Sequence, residues 1–236
     1  MPDLAEGAPE RALAVYAHPD DPDVSCGGTM ARWAAAGAEI HVVVCTQGDK
    51  GSSDPATRTA ELVKRRGKEM AAAAELLGLA GHHLLGYPDG EIDNTAEVRG
   101  ELVRLVRDLR PEAVVCPDPT AVLFGSSYFN HRDHRVVGWA TLDAVAPAAA
   151  NPHYFQGQGP AHQVDTVYLS GTLEPDVWVD ITGSIDAKGR ALLCHQSQLG
   201  DTGEWFAQVV RQRAEEEGRL AGVDYAEGFR LLRLTG

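Results

Sequence analysis

The chain has 236 residues, of which 44% are hydrophobic and 23% are charged, the balance of an ordinary globular protein. Its 34 Asp and Glu outnumber its 21 Lys and Arg, and the formal charge of −13 argues against nucleic acid or an anionic membrane as a partner. The N-terminus lacks the apolar core of a signal peptide, and no apolar run reaches the ~18 residues of a membrane span, so we expect a cytoplasmic protein.

Alternating strand and helix patterns fill the first half of the chain. Continuous apolar runs predict strands at residues 11–17, 39–45 and 83–85. Helical patterns that end at glycine or proline predict helices at residues 28–36, 57–77 and 95–109. Pro19 and Pro22 follow the first strand and indicate a loop between it and the first helix.

The alternation continues in the second half of the chain. It predicts strands at residues 113–116, 164–169 and 177–181, and helices at residues 134–145 and 185–198. Between these elements, residues 146–163 are rich in Ala, Pro, Gly and Gln. We interpret that segment as a surface excursion or as a lid over a substrate.

The predicted strands are too continuously apolar to leave one face of a sheet in water. This pattern indicates a mostly parallel central sheet covered by helices on both faces. We therefore predict a Rossmann-like three-layer α/β fold in a single domain that spans residues 1–236. In such folds ligands bind beyond the carboxyl ends of the strands, at a topological switch point.

Two clusters of side chains that can bind a metal follow two of the predicted strands. The first cluster is His18-Pro19-Asp20-Asp21, and the second is the segment at residues 130–134. A catalytic zinc takes three nitrogen or oxygen ligands and keeps one position open for water. His18, Asp21 and His134 provide such a set, which leaves Asp20 as a free carboxylate and a natural general base.

Two further residues of the second cluster suggest catalytic roles. His131 lies three residues before His134 and could stabilise an oxyanion if it is protonated. Asp133 could orient one of the imidazoles. Taken singly, an Asp-rich turn is usually only a turn, and the two histidines could simply be solvated at a helix start. The presence of both clusters at strand ends of one sheet favours the metal site.

The other histidines are less informative. His41, His82 and His83 lie in strand patterns, where core or edge positions are expected. His153 and His162 lie in the Gly- and Pro-rich segment, and we expect them to be solvated. His195 has two open interpretations, a polar residue at a helix end or a member of the site.

Several motifs together resemble one known family. They are Ala17-His18-Pro19-Asp20-Asp21, Gly27-Gly28-Thr29, Thr46-x-Gly48-Asp49, Arg66-x-x-Glu69, Tyr87-Pro88-Asp89-Gly90, His131-x-Asp133-His134, His195-x-Ser197-Gln198 and Ala226-Glu227-Gly228-Phe229-Arg230. The chain thereby resembles the PIG-L/LmbE-like deacetylases from about residue 11 to residue 230. That family includes zinc-dependent N-deacetylases of amino sugars of the N-acetylglucosamine type.

The resemblance implies a role for each matching residue. It implies Zn²⁺ as the cofactor, with other divalent transition metals also accepted, and His18, Asp21 and His134 as its ligands. It implies catalytic roles for Asp20 as base, His131 as electrophile and Asp133 as orienting residue. It also implies that Arg66 and Asp89 hold sugar hydroxyls, although a solvated helix residue and a turn former are the structural alternatives for these two.

The sequence departs from the family at two points. Pro22 replaces the glutamate that often follows the first motif. Some members place a tyrosine two residues before the oxyanion histidine, where this chain has Phe129, with Tyr128 one position earlier. The second departure leaves open whether a tyrosine contributes to catalysis.

These observations favour a zinc-dependent hydrolase that removes an N-acyl group, acetyl in the simplest case, from an amino sugar or its conjugate. The expected partner is a small N-acylated amino-sugar substrate, and the oligomeric state is left open, including a homo-oligomer. One alternative within the same chemistry is an amidase of mycothiol-type thiol conjugates. Another, from a different class, is a non-enzymatic α/β module that only binds a ligand.

Overall fold

An eight-stranded sheet runs through the molecule in the computed structural model, which describes residues 3–235. Its strands are β1 (Asp3–Leu4), β2 (Arg11–Tyr16), β3 (Glu39–Thr46), β4 (Gly81–Tyr87), β5 (Ala113–Pro117), β8 (Thr166–Ser170), β9 (Val177–Asp180) and β10 (Ala226–Arg233). A separate short hairpin is formed by β6 (Leu123–Phe124) and β7 (Tyr128–Phe129). The strand order of the large sheet is β1-β9-β10-β8-β5-β2-β3-β4.

The order in which the chain connects the strands creates a switch point in the middle of the sheet. Strand β10 is antiparallel to both of its neighbours, and every other pair is parallel. The chain moves from β2 outward through β3 to β4, and then returns to β5 on the other side of β2. The crevice beyond the carboxyl ends of β2 and β5 is therefore the expected position for a ligand.

Helices cover both faces of the sheet, which confirms the predicted three-layer α/β domain. They are α1 (Asp21–Ala35), α2 (Thr59–Leu76), α3 (Ala96–Leu109), α4 (Arg132–Asp143), α5 (Ile185–Leu192), α6 (Gln196–Leu199) and α7 (Gly203–Ala221). Strand β2 shows why two layers are needed: Leu13 and Val15 pack into one core, whereas Ala14 and Tyr16 pack into the other. None of the helices within residues 3–235 combines the length and apolar character that crossing a membrane requires.

Helix α1 begins earlier than the sequence suggested. It starts at Asp21, with Asp20 as its N-cap, and not at residue 28. Pro22 is compatible with this start because the first helical turn does not need its missing N–H group. A kink at Cys26 (φ −139°, ψ 21°) separates the first turn from the body of the helix. The predicted loop after β2 is thus mostly a helix start.

The carboxyl-terminal third also differs from the prediction. The helix predicted at residues 185–198 is split into α5 and α6, with His195 as the N-cap of α6. No element was predicted after residue 198, where the structure has α7 and β10. Strand β10 inserts antiparallel between β8 and β9, a pairing that local patterns do not reveal.

The segment at residues 146–163 lies against the end of α3. Arg107 donates hydrogen bonds to carbonyl groups of this segment, including those of Ala148 (2.9 Å) and Tyr154 (3.0 Å). His162 contacts the carbonyl oxygen of Pro111, just before β5, at 2.7 Å, so the prediction that it is solvated is wrong. These contacts place the segment at the amino edge of the sheet, opposite the switch-point crevice, and favour the surface excursion over the lid.

Candidate metal centre and active site

Two helix starts carry the predicted site residues to the carboxyl edge of the sheet. His18 follows β2, and Asp20 and Asp21 form the start of α1. After β5 the chain makes the β6–β7 hairpin, and then His131 caps α4, with His134 in its first turn. Because β2 and β5 are neighbours, the two helix starts lie side by side. The structure therefore brings the two predicted clusters together.

The three predicted metal ligands form a tight triangle. The Nδ1 atom of His18 lies 3.1 Å from Oδ2 of Asp21 and 3.2 Å from Nε2 of His134. The same Nε2 atom lies 3.2 Å from Oδ1 of Asp21. A tetrahedral zinc with bonds of 2.0–2.1 Å spaces its ligand atoms about 3.3 Å apart. The side chains as they lie in the structure fit a small divalent cation.

Neighbouring groups fix which nitrogen of each imidazole faces the centre of the triangle. His18 places Nε2 3.0 Å from Oδ1 of Asp89, and His134 places Nδ1 3.0 Å from Oδ1 of Asn130. Each of these ring nitrogens can donate its proton to the oxygen, which leaves the opposite nitrogen as a lone-pair donor to a metal. Asn130 is buried and donates to the carbonyl of Ala121 at 2.7 Å, so its own position is fixed.

Asn130 belongs to the second predicted cluster, residues 130–134, but the sequence indicated no role for it. The signal for it was its position four residues before His134, one turn away at the start of a predicted helix. An amide oxygen is a common outer partner of a metal-binding histidine, but so are carboxylates and backbone carbonyls. Sequence alone could not choose among them.

The charges around His18 create a place where a cation is stabilised. Burial alone would lower the pKa of His18, but the charge of Asp21 and hydrogen bonds to Asp133, Asp21 and Asp89 raise it to about 12. Burial would raise the pKa of Asp21, but His134 and His18 hold it well below its ordinary value. The carboxylates thus concentrate negative charge at the triangle, as a divalent metal requires.

A second grouping of ligand atoms is also short enough to hold a metal. Ring nitrogens of His18, His131 and His134 lie within 4.8 Å of one another. We favour the set with Asp21 because its two oxygens contact both other ligands at 3.1–3.2 Å. A backbone hydrogen bond of 2.7 Å from the His18 N–H group to Asp21 holds the carboxylate in this position.

Asp20 points to a different partner. Its Oδ1 atom accepts a hydrogen bond of 2.8 Å from Nη2 of Arg66, whose Nη1 atom donates to the carbonyl of Gly48 at 3.0 Å. The side chain of Arg66 is 3% exposed and that of Asp20 26%. Gly48 has a φ of +59°, and a Cβ atom there would lie 2.2 Å from Nη1, so only glycine allows this approach. Arg66 is thus a partner of the predicted base, not an exposed residue of the mouth.

Asp89 is held between the site and the loop after β3. Besides its contact with His18, its N–H group donates to Oδ1 of Asp49 at 2.8 Å. The ammonium group of Lys50 donates to the Asp89 carbonyl at 2.6 Å and pairs with Glu91. The contact with His18 was not predicted. It makes Asp89 a hydrogen-bond partner of the predicted metal ligand His18.

His131 and Asp133 lie beside the triangle. Nδ1 of His131 accepts a hydrogen bond of 3.2 Å from the N–H group of Asp133, so a neutral ring carries its proton on Nε2. Burial lowers the pKa of His131, and the charge of His18 lowers it further. From the sequence we considered a protonated imidazole as one way to stabilise an oxyanion, and these contacts favour a neutral ring that donates from Nε2. Asp133 is fully buried, with Oδ2 2.6 Å from the N–H group of Gly90 and 3.6 Å from Nε2 of His18.

His195 lies outside the triangle. It is fully buried, and its Nε2 atom lies 2.7 Å from Oδ2 of Asp23. It is the polar residue at a helix end, as the N-cap of α6, but it is buried and does not belong to the triangle. Burial lowers the pKa of His195, but the hydrogen bond and the charge of Asp23 raise it by more.

Known proteins match both the sequence and the fold. The sequence model of the family described as "PIG-L: GlcNAc-PI de-N-acetylase" matches residues 13–145. The diacetylchitobiose deacetylase of Thermococcus kodakarensis is 32% identical, over 94% of this chain and 83% of its own. The 1D-myo-inositol 2-acetamido-2-deoxy-alpha-D-glucopyranoside deacetylase of Streptomyces avermitilis is 30% identical, over 88% of each chain. The N,N'-diacetylchitobiose deacetylase structure from Pyrococcus horikoshii superposes with a TM-score of 0.87 at 32% identity, covering 95% of this chain and 84% of the other.

Proposed function

The chain belongs to the PIG-L, or GlcNAc-PI de-N-acetylase, family and is an amide hydrolase, and from this premise we propose that it is a zinc-dependent N-deacetylase of amino sugars. The observation that carries the proposal is the triangle of His18, Asp21 and His134, with Asp20 next to it in the chain. The two curated relatives compared above act on acetamido sugars, one a chitobiose and one an inositol glycoside. The chemistry that they share is an acetamide on a glucosamine-type ring.

The metal would be held by the three side chains of the triangle. When bound, zinc polarises the amide carbonyl and lowers the pKa of water to about 7. Asp89 and Asn130 keep the two imidazoles in the tautomers that leave a lone pair for the metal. A His/Asp/His set also accepts iron, manganese or cobalt, so we propose zinc as the first metal to test.

Asp20 would move the protons of the reaction. Its Oδ1 atom is occupied by Arg66, which leaves Oδ2 to accept a proton from the attacking water. The water oxygen forms a bond to the amide carbon, and the carbon–nitrogen bond then breaks. Asp20 returns this proton to the departing nitrogen, so that the products are a free amine and acetic acid, which releases the second proton of the water to solvent as it ionises to acetate. Arg66 acts by holding the carboxylate in one orientation.

His131 would stabilise the negative oxygen that develops on the amide. In a neutral ring, Nδ1 accepts from the Asp133 N–H group, so that Nε2 carries the proton and can donate it to a substrate oxygen. Such a donor stabilises an oxyanion without needing to be charged. Asp133, through its position near His18, would orient that ligand.

The residues proposed for sugar binding have unequal support. We propose that Asp89 uses the carboxylate oxygen not bound to His18 to accept a hydrogen bond from a sugar hydroxyl. Arg66 is buried and bound to Asp20 and Gly48, so its contacts support a role through Asp20 more than a direct sugar contact. A change of Arg66 should then lower kcat, whereas a change of Asp89 that removes a sugar contact should raise KM.

The experiment is amine release by chelator-stripped protein, with and without added zinc. The substrates are N-acetylglucosamine, diacetylchitobiose, an acetylglucosaminyl inositol and a bulkier N-acyl thiol conjugate. Zinc-restored release from the acetamido sugars is the expected result. A more than tenfold preference for the thiol conjugate would replace the sugar deacetylase by an amidase of conjugates. One bound zinc per chain with no release from any amide would favour a ligand-binding module.

A further inference from the structure

The proposed mechanism makes no use of the motif His195-x-Ser197-Gln198, which lies between α5 and α7. Each of its three side chains makes a hydrogen bond to a different part of the molecule. The partners of the three are, in order, Asp23 in α1, Glu69 in α2 and Gly51 in the loop after β3. We refer to His195, Ser197 and Gln198 together as the clasp. Its three partners lie in the three segments that surround Asp20 and Arg66.

The first contact of the clasp acts on the same helical turn as Asp20. His195 and Asp23 are 0% and 4% exposed, and the distance from Nε2 to Oδ2 is 2.7 Å. Asp23 lies three residues after Asp20, before the kink at Cys26. Because the kink interrupts the helix, the body of α1 does not fix the direction of its first turn. The buried bond to His195 is one constraint on this turn, and the hydrogen bond of 2.7 Å from Lys188 to the carbonyl of Val24 is another.

The second contact acts on the helix that carries Arg66. Ser197 donates to Glu69 from its N–H group (2.8 Å) and from Oγ (2.5 Å), so both carboxylate oxygens are used. Glu69 lies three residues after Arg66, on the same side of α2. The third contact is a hydrogen bond of 3.1 Å from Gln198 to the carbonyl of Gly51. It holds the loop whose Gly48 carbonyl accepts from Arg66.

We propose that the clasp positions Asp20 for catalysis, by fixing the turn that carries Asp20 and the helix that carries its partner Arg66. This inference rests on the proposed function, in which Asp20 is the base. The clasp residues are positioning residues and touch neither metal nor substrate. A shift of about 1 Å in a reacting group can cost about 100-fold in rate, so loss of this constraint should appear in kcat.

Three variants separate positioning from simple folding. His195→Ala removes the first contact, and Ser197→Ala removes only the Oγ bond to Glu69. Ser184→Ala is the matched control, because Ser184 donates a similar bond of 2.7 Å to Gly28, in the body of α1 beyond the kink. All three are measured for kcat, KM, bound zinc and thermal midpoint, as zinc-loaded protein with diacetylchitobiose.

The expected result is a loss of kcat of about tenfold or more in His195→Ala and about threefold in Ser197→Ala, with KM and zinc content nearly unchanged. Ser184→Ala should lose thermal stability but keep kcat. His195→Gln should recover much of the loss, because its amide nitrogen can reach the place of Nε2. If His195→Ala does not fold, His195→Gln and Ser197→Ala still carry the test.

A double-mutant cycle with Asp20→Ala decides whether the clasp acts through Asp20. The His195 and Ser197 changes should have little further effect on turnover once Asp20 is removed. Two results would contradict the proposed role of the clasp. One is an equal fold-loss of kcat from these changes in the presence and in the absence of Asp20. The other is a loss of kcat in Ser184→Ala as large as in Ser197→Ala. Failure of the proposed function has a different result, since Asp20→Ala alone would then turn over at the wild-type rate.

Discussion

Two clusters of buried charge touch helix α1, and they differ in how the protein satisfies them. On one side of the helix, Lys188 pairs with Glu227 and donates to the carbonyl of Val24, just before the kink, at 2.7 Å. Glu227 also accepts from the N–H groups of Gly28 (3.0 Å) and Thr29 (2.8 Å). Positive and negative charges balance there, and the pair needs nothing from outside the protein.

The cluster at the start of the helix is different. In the triangle of His18, Asp21 and His134, atoms that carry lone pairs converge at 3.1–3.2 Å. Asp89 and Asp133 add negative charge on the far side of His18. Three nitrogen and oxygen atoms at these distances around one point fit a divalent cation. The comparison teaches that the convergence of several nitrogen and oxygen atoms on one point, and not burial of charge, distinguishes a candidate metal site from a structural ion pair.

The largest expected effect comes from removing one side of the triangle. His134→Ala should lose most of its zinc and about 10³-fold or more of its turnover, because metal stabilisation of the developing charge is worth several kcal/mol. Metal content and amine release measure the two effects. A fully occupied zinc site in this variant would show that the ligand set is wrong, and the set with His131 would replace it.

The next largest effect is expected for Asp20, the carboxylate that we do not propose as a metal ligand. Asp20→Ala should keep its zinc and lose about 10²–10⁴-fold in kcat, the usual contribution of a general base. Asp20→Asn is the matched variant, because it keeps the size of the side chain and a possible contact with Arg66. Turnover at the wild-type rate in either variant would refute the base assignment.

A smaller effect is expected for Asn130, the hydrogen-bond partner of the proposed ligand His134. Asn130→Ala removes the oxygen that holds Nδ1 of His134 and should weaken zinc binding about 10–100-fold. Competition with a chelator of known affinity measures the change. Excess zinc should restore most of the turnover, and a loss that excess zinc does not restore would mean that Asn130 has another role.

The smallest effect on turnover is expected for the ion pair of Lys188 and Glu227, whose charges balance each other. Lys188→Met leaves Glu227 buried without its partner and should cost about 3–5 kcal/mol of stability. For a chain of this length that lowers the thermal midpoint by about 10 °C. The folded, zinc-loaded variant should lose far less kcat than Asp20→Ala, although Lys188 also contacts the turn that carries Asp20. A loss of kcat comparable with that of Asp20→Ala would show that the pair of Lys188 and Glu227 is not merely structural.

The sequence predicted the site better than it predicted the elements around it. The clusters at His18 and His134 were identified because each follows an apolar run, and the carboxyl ends of parallel strands meet at one edge of a sheet. The start of α1 was wrong because a proline pair indicates a break, although Pro22 also fits a first helical turn. Strand β10 was missed because its pairing with β8 and β9 depends on distant partners, as between Arg233 and Thr166 and between Ala226 and Asp180.

By itself, the sequence determined the fold class, the family and the set of residues that meet in the crevice, since residue type and periodicity are local properties. Only the tertiary structure decided the partners of these residues. Arg66 reaches Asp20 across 46 positions, and His195 reaches Asp23 across 172. Such contacts depend on the packing of α5 against both α1 and α2 and of α6 against α2, which no local pattern encodes. The same packing turned an ambiguous histidine into a buried constraint on the proposed base.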